Sequence, residues 1–269
     1  MAKRINPGPL VAVAFLGVAG VLAWKFYPRP APAPAPVAQP AAPPAAETPA
    51  PAAYPIEEVA VQPEPAAEPL PALEDSDSAA WDALSALLEG GDLAQWLLPT
   101  HLVQRLVITI DALPRRDITG QVYVAKPVAG TLVVDEAAGA VYLGAANFAR
   151  YDAAVAVFER VDARALVSAY VRLYPLLQQA WREIGPPGSH FNDRLVAVID
   201  HLLAAPAPAG PIALVPAEGR PRWEFADPAM EQASIGHKAL WRMGPDHAVR
   251  VKAKLSQLRG LLVAQRPAG

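Results

Sequence analysis

Apolar and polar positions alternate along this chain in different regimes. Residues 10–24 are all apolar or glycine, with Lys3 and Arg4 before them and Lys25 and Arg29 after. Such a run predicts a membrane helix rather than a packed one. Its uninterrupted core spans about 22 Å at 1.5 Å per residue, and residues 7–27 reach the roughly 30 Å of a bilayer core when Lys25 snorkels. A cleaved signal peptide is the rival expectation, but Trp24-Lys25-Phe26-Tyr27 puts bulk and charge where a cleavage site has small residues. The expected layout is a cytoplasmic N-terminus over residues 1–9 and a retained anchor over residues 10–27.

Residues 28–71 form Pro-Ala repeats that pass into a Pro-Glu segment with few large apolar groups, so they predict a disordered spacer. Alternating proline favours polyproline II, at about 3.1 Å per residue, enough to hold a domain on the order of 100 Å from the bilayer. On this reading a protease-resistant fragment begins between Leu70 and Ala80.

Helical periodicity takes over in residues 72–266, which predict a mainly α domain, α+β at the margin, with short β-hairpin insertions. Asp77 or Ser78 caps a first helix carrying Trp81, Leu84, Leu87 and Leu88, and Thr100 caps another that Pro114 ends. Residues 122–124, 131–134 and 140–143 read as short strands, the last two joined by a hairpin turn. Helices follow over residues 148–161 and 163–184, the latter with a core stripe of Leu166, Tyr170, Leu173, Leu177, Ala180, Trp181 and Ile184. Pro175 predicts a kink or a broken pair of helices there. Gly185-Pro186-Pro187-Gly188 is a stop, and a helix follows over residues 191–204. Strand-like pieces lie around Ile212 to Val215 and Trp223 to Phe225. Asp227-Pro228 opens a helix that Gly244-Pro245 closes, and Val251, Leu255, Leu258 and Leu262 give the last helix a buried seam.

Composition narrows the chemistry. The chain lacks cysteine, which excludes disulfide scaffolds, thiol nucleophiles and thiolate metal sites. A net charge of -3 does not suit a nucleic-acid binder, so no nucleic-acid partner is expected. Charge is segregated: no lysine or arginine stands between Pro30 and Gln104, whereas residues from Arg105 onward are mildly basic.

No phosphate loop, dinucleotide fingerprint, zinc-protease helix or nucleophile elbow is present. The densest polar cluster is Ser189-His190-Phe191-Asn192-Asp193-Arg194, with Asp200-His201 after it. Asp193 and Asp200 share a helix side but stand about 10.5 Å apart along the axis, wide for a glycosidase pair at roughly 5 to 9.5 Å. Five histidines show no metal-ligand spacing, so neither a metal nor another cofactor is expected. The candidate binding surface is Tyr151, Tyr174, Asn192, Asp193, Arg194 and His201, beside the Pro175 kink. Arg250, Lys252, Lys254 and Arg259 form a candidate basic face for an anionic partner, since no acid follows Asp246.

Several segments carry a resemblance: Asp111-Ala112-Leu113-Pro114-Arg115, Asn147-Phe148-Ala149-Arg150-Tyr151, Leu173-Tyr174-Pro175-Leu176, Phe191-Asn192-Asp193-Arg194-Leu195, Asp200-His201-Leu202-Leu203, Phe225-Ala226-Asp227-Pro228 and Arg242-Met243-Gly244-Pro245. Together the chain resembles an uncharacterised family of proteobacterial envelope proteins, domain of unknown function 3014. The resemblance implies a membrane-tethered domain in a Gram-negative bacterium and carries over no catalytic residue. The expected function is a non-enzymatic binding or scaffolding module in the periplasm, tethered to the inner membrane and engaging an envelope protein or cell-wall polymer. The alternative is a tethered periplasmic hydrolase using Asp193, Asp200 and His201.

Overall fold

A long central helix, α4 (Ala163–Ile184), organises the computed structural model, which describes residues 51–59, 61, 69–88, 93–117, 123–219 and 222–263, and the backbone of Leu10 and Val11. The expected anchor (residues 10–27) otherwise lies outside the described residues, as do residues 1–9 and the spacer up to residue 50. Among the described residues no helix is long and apolar enough to cross a membrane.

Around α4 stand α1 (Asp77–Ser85), α2 (Leu102–Ala112), α3 (Asp152–Arg160), α5 (Phe191–Leu203), α6 (Pro228–Glu231), α7 (Ile235–Arg242) and α8 (Pro245–Val263). The short pair β1 (Leu10–Val11) and β2 (Pro127–Val128) is antiparallel. A second, antiparallel sheet has the order β3 (Val134–Ala137), β4 (Ala140–Leu143), β5 (Ala213–Pro216), β6 (Trp223–Phe225). The domain is thus mainly helical with a small sheet, as its periodicity predicts.

The two ends of α4 serve two cores. Ala163 and Val167 join a cluster with Val155 and Phe158 of α3, Leu195, Ile199 and Leu202 of α5 and the whole predicted seam of α8. Leu173, Leu176, Leu177, Ala180 and Trp181 join the other, against α1, α2 and Phe191. Each large aliphatic side chain removed from water contributes roughly 1.5–3 kcal/mol. That packing explains why α4 runs through Pro175 as one helix, which removes the broken pair from the two expected outcomes, a kink or a break. Asp162 starts α4 by accepting the Ala165 amide at 2.8 Å. At the far end the periodicity overreaches: Ile184 is left exposed at the last turn.

Other boundaries move for local reasons. The hairpin turns on Ala138 and Gly139, at φ 50 and 76, a left-handed pair suited to a two-residue loop. β3 therefore runs over Val134–Ala137, through residues that the sequence reading places in the turn, and residues 131–133 of the expected strand lie outside it. Residues 123–126 form only a single bridge, Leu97 to Ala125. The helix expected after Asp227 divides, because Ser234 caps α7 by accepting the His237 amide. Thr100 does not cap α2. His101 takes that place with φ 51, and the Asp77 carboxylate accepts the amides of His101 and Leu102 at 2.8 and 2.7 Å.

The largest departure lies before α1. Residues 51–59 and Val61, composition-matched to the spacer, lie against the domain: Val59 is 1% exposed, and Tyr54 and Ile56 pack on the α8-containing core. Four apolar side chains within this short stretch supply the burial that the Pro-Ala repeats before it lack.

Candidate functional site

The polar cluster at the start of α5 is where this N-terminal strap docks. Phe191, Asn192 and Asp193 form the first turn of α5, and the Gln178 side chain on α4 accepts the Phe191 amide at 2.8 Å. Gln178 also donates to the Ser189 carbonyl at 2.9 Å, and Tyr174 donates to Gln178 at 2.9 Å. These bonds fix the turn between α4 and α5 and leave the Asp193 carboxylate to face the strap.

Asp193 accepts the amides of Ala53 and Tyr54 at 3.0 and 2.8 Å. Asn192, fully buried, donates its side-chain amide to the Tyr54 carbonyl at 2.8 Å and accepts the Tyr170 hydroxyl at 3.1 Å. Burial pushes the Tyr174 phenol up to about 12 and raises Tyr170 well above its ordinary value, so both remain protonated donors at neutral pH. The surface reads the main chain at a bend over Ala53 and Tyr54: two consecutive donors, then one acceptor.

The remaining candidates face elsewhere. Arg194 donates to the Asp111 carboxylate at 2.8 Å and to the Asp111 backbone carbonyl at 2.9 Å, and Arg115 pairs with the other carboxylate oxygen. Tyr151 is buried in the α8-containing core, where burial raises its phenol and Arg242 and Arg150 oppose the rise. Asp200 pairs with Arg259.

His201 lies 2.7 Å from the Ser234 hydroxyl and stacks on His237, with ring centroids 4.2 Å apart and an interplanar angle of 8°. Burial, then His237 and Arg194, hold His201 below its ordinary value, leaving it neutral and able to accept from Ser234. A serine beside a histidine base suggests a nucleophile. The surroundings do not: Ser234 is only 8% exposed. The next two amides, of Ile235 and Gly236, donate to the carbonyls of Arg115 and Leu113, so neither is free to stabilise an oxyanion. The arrangement is a helix cap tied to a stacked imidazole pair.

The basic face is likewise engaged. Arg250 bonds both carboxylate oxygens of Glu159, which is held below its ordinary value chiefly by that bond. Lys254 donates to the carbonyls of Glu159 and Val161 at the end of α3, and Lys252 donates to the Ala205 carbonyl. The acids and carbonyls come from α3, α5 and the loop after α5, out of view of a reading along α8 alone. Among the described residues no group of three or more histidine, aspartate or glutamate side chains could hold a metal ion.

Sequence reasoning singled out Asn192 and Asp193 but missed their partner. Tyr54-Pro55-Ile56 was the available signal, bulky residues within a run of small ones. The family described as "Protein of unknown function (DUF3014)" matches residues 102–259, and the chain belongs to it. No curated protein and no solved structure gives a match. The matched stretch contains Tyr170, Tyr174, Gln178, Asn192 and Asp193, and the strap precedes it.

Proposed function

We propose that this member of the family is a membrane-tethered, non-enzymatic binding or scaffolding module of the bacterial cell envelope. Residues 10–27 anchor it in the inner membrane, the N-terminus is cytoplasmic, and the helical domain stands in the periplasm, where it engages an envelope protein or cell-wall polymer. The observation that carries the non-enzymatic reading is the commitment of the polar cluster. Asp193, Asp200 and His201 bind the strap, Arg259 and Ser234 respectively, so they do not form one reacting centre. A hydrolase built on those three residues draws no support from this arrangement.

The tether rests on the apolar run and the Pro-Ala repeats. With the strap docked, the free spacer shortens to residues 28–50, a reach of roughly 70 Å at about 3.1 Å per residue. Insertion of the anchor requires Leu10 and Val11 to give up their backbone pairing with Pro127 and Val128. Fractionation in high salt tests the tether, because insertion is insensitive to screening and peripheral attachment is not. The full chain is expected to stay with the membrane, and crosslinkers placed in the domain are expected to trap an envelope component. Recovery as a soluble protein whose N-terminus follows Tyr27 would overturn the tether.

A further inference from the structure

The surface that holds the strap belongs to the family-matched region, whereas its occupant comes from the flank before it. Recognition runs mainly through the backbone, as the Asp193 carboxylate takes two consecutive amides and the Asn192 amide takes the following carbonyl. Asn192 is fully buried and oriented by Tyr170, so this reader is preset by α4 and α5. Selectivity comes from the side chains that pack beside it. Tyr54 and Ile56 are half-buried, Val59 and Val61 are buried, and Pro55 at φ -60 and ψ 131 leads into a 3-10 turn over Ile56–Glu58. Proline also biases the residue before it, Tyr54, toward extended backbone.

We infer that the α4–α5 surface is a peptide-binding site for a bent, proline-containing segment of a partner protein, with residues 53–59 and 61 as its resident intramolecular ligand. The inference rests on the binding-module reading and names its ligand: a small residue, then Tyr-Pro-aliphatic, with a second aliphatic residue three positions later. The two amides that meet Asp193 belong to the small residue and the tyrosine, so neither position accepts proline. A tethered strap competes at an effective concentration on the order of millimolar, and a partner segment displaces it only when it binds well enough to overcome that concentration. Displacement also releases the strap into the spacer, lengthening the reach by roughly 30 Å at about 3.1 Å per residue.

The test uses the full chain with a protease site placed between residues 62 and 69, so that cutting turns the strap into a separable ligand without removing it. The probe is a fluorescent synthetic peptide of residues 51–61, followed by anisotropy. The peptide is expected to bind the cut chain, to be excluded at least tenfold by the intact strap of the uncut chain, and to lose at least tenfold in affinity on Asp193→Ala. A second full-length variant, Val59→Asp, opens the surface without cutting and is expected to bind the same peptide. Failure of the peptide to bind either form while its circular dichroism is native, or equal binding to the Asp193→Ala chain, overturns the inference. Membrane retention and domain crosslinking are unaffected by that failure, so the two readings are separable.

Discussion

The carboxylate of Asp193 accepts the amide of Tyr54 at 2.8 Å, across 139 residues of chain. An aspartate in a helix's first turn ordinarily serves its own helix end. Here it serves another segment and holds residues 53 and 54 against the domain. Limited proteolysis is therefore expected to leave a resistant fragment starting close to residue 51, not between Leu70 and Ala80. Asp193→Ala removes a charged acceptor from a partly exposed site and is expected to cost about 1–2 kcal/mol. For a domain of this size that lowers Tm by about 2–8 °C, and new cleavage within residues 51–61 should appear before global unfolding. An unchanged cleavage pattern would contradict the docking.

Asn192 and Arg194 act through the fold. Asn192→Ala leaves the Tyr54 carbonyl and the Tyr170 hydroxyl without their partner, at about 1–3 kcal/mol. Arg194→Ala leaves Asp111, only 5% exposed, with Arg115 alone; the expected loss is about 2–3 kcal/mol, below that of a fully broken buried pair because Arg115 remains. Thermal unfolding of each variant checks this. A melting temperature unchanged in both would return these residues to the status of free surface groups.

Stability should depend on pH through His201, whose neighbours are His237, Arg194 and Ser234. Its folded value lies below the ordinary 6.5, so above 6.5 the imidazole is neutral in both states and its contribution is complete. As the pH falls below 6.5 the unfolded chain takes up a proton that the folded chain resists, and stability declines until the depressed folded value is passed. Tm measured on lowering the pH through this window is expected to fall, and to fall less steeply in His201→Gln. Glu159 contributes separately at lower pH, where protonation would remove its bond to Arg250. Equal slopes for both proteins above the carboxylate range would remove His201 from the account.

Two basic residues of α8 should behave differently. Lys254, 8% exposed, donates to two carbonyls at the end of α3, and Lys254→Ala is expected to destabilise by about 1–3 kcal/mol. Arg259 pairs with a half-exposed Asp200, and Arg259→Ala is expected to cost no more than about 1 kcal/mol. Denaturant unfolding of the two variants measures the difference; equal small effects would mean that α8 presents a solvated basic face after all.

The parts legible in the sequence are those whose signal is local. The α8 seam and the start of α4 at Asp162 follow from 3.6-residue periodicity and a side-chain cap. What depends on partners far along the chain was hidden: Asp77 caps α2 from 25 residues away at Leu102, and Arg250 meets Glu159 across 91. Residues 51–61 were hidden by their surroundings, because proline and alanine dominate the averages and mask four well-placed apolar side chains. Asn192 and Asp193 could be picked out as a polar pair, but what they bind is set by a strap that carries no helical period.

Amide hydrogen exchange at Ala53 and Tyr54 tests the central claim most directly, since these are the two groups that Asp193 holds. In the full chain both amides are predicted to exchange more slowly than the unstructured-peptide rate for the same sequence, and to lose that protection on Asp193→Ala while amides of α4 and α8 keep theirs. Exchange at the unstructured rate in the unaltered protein would contradict the docked strap, and with it the assignment of the α4–α5 surface as a peptide site.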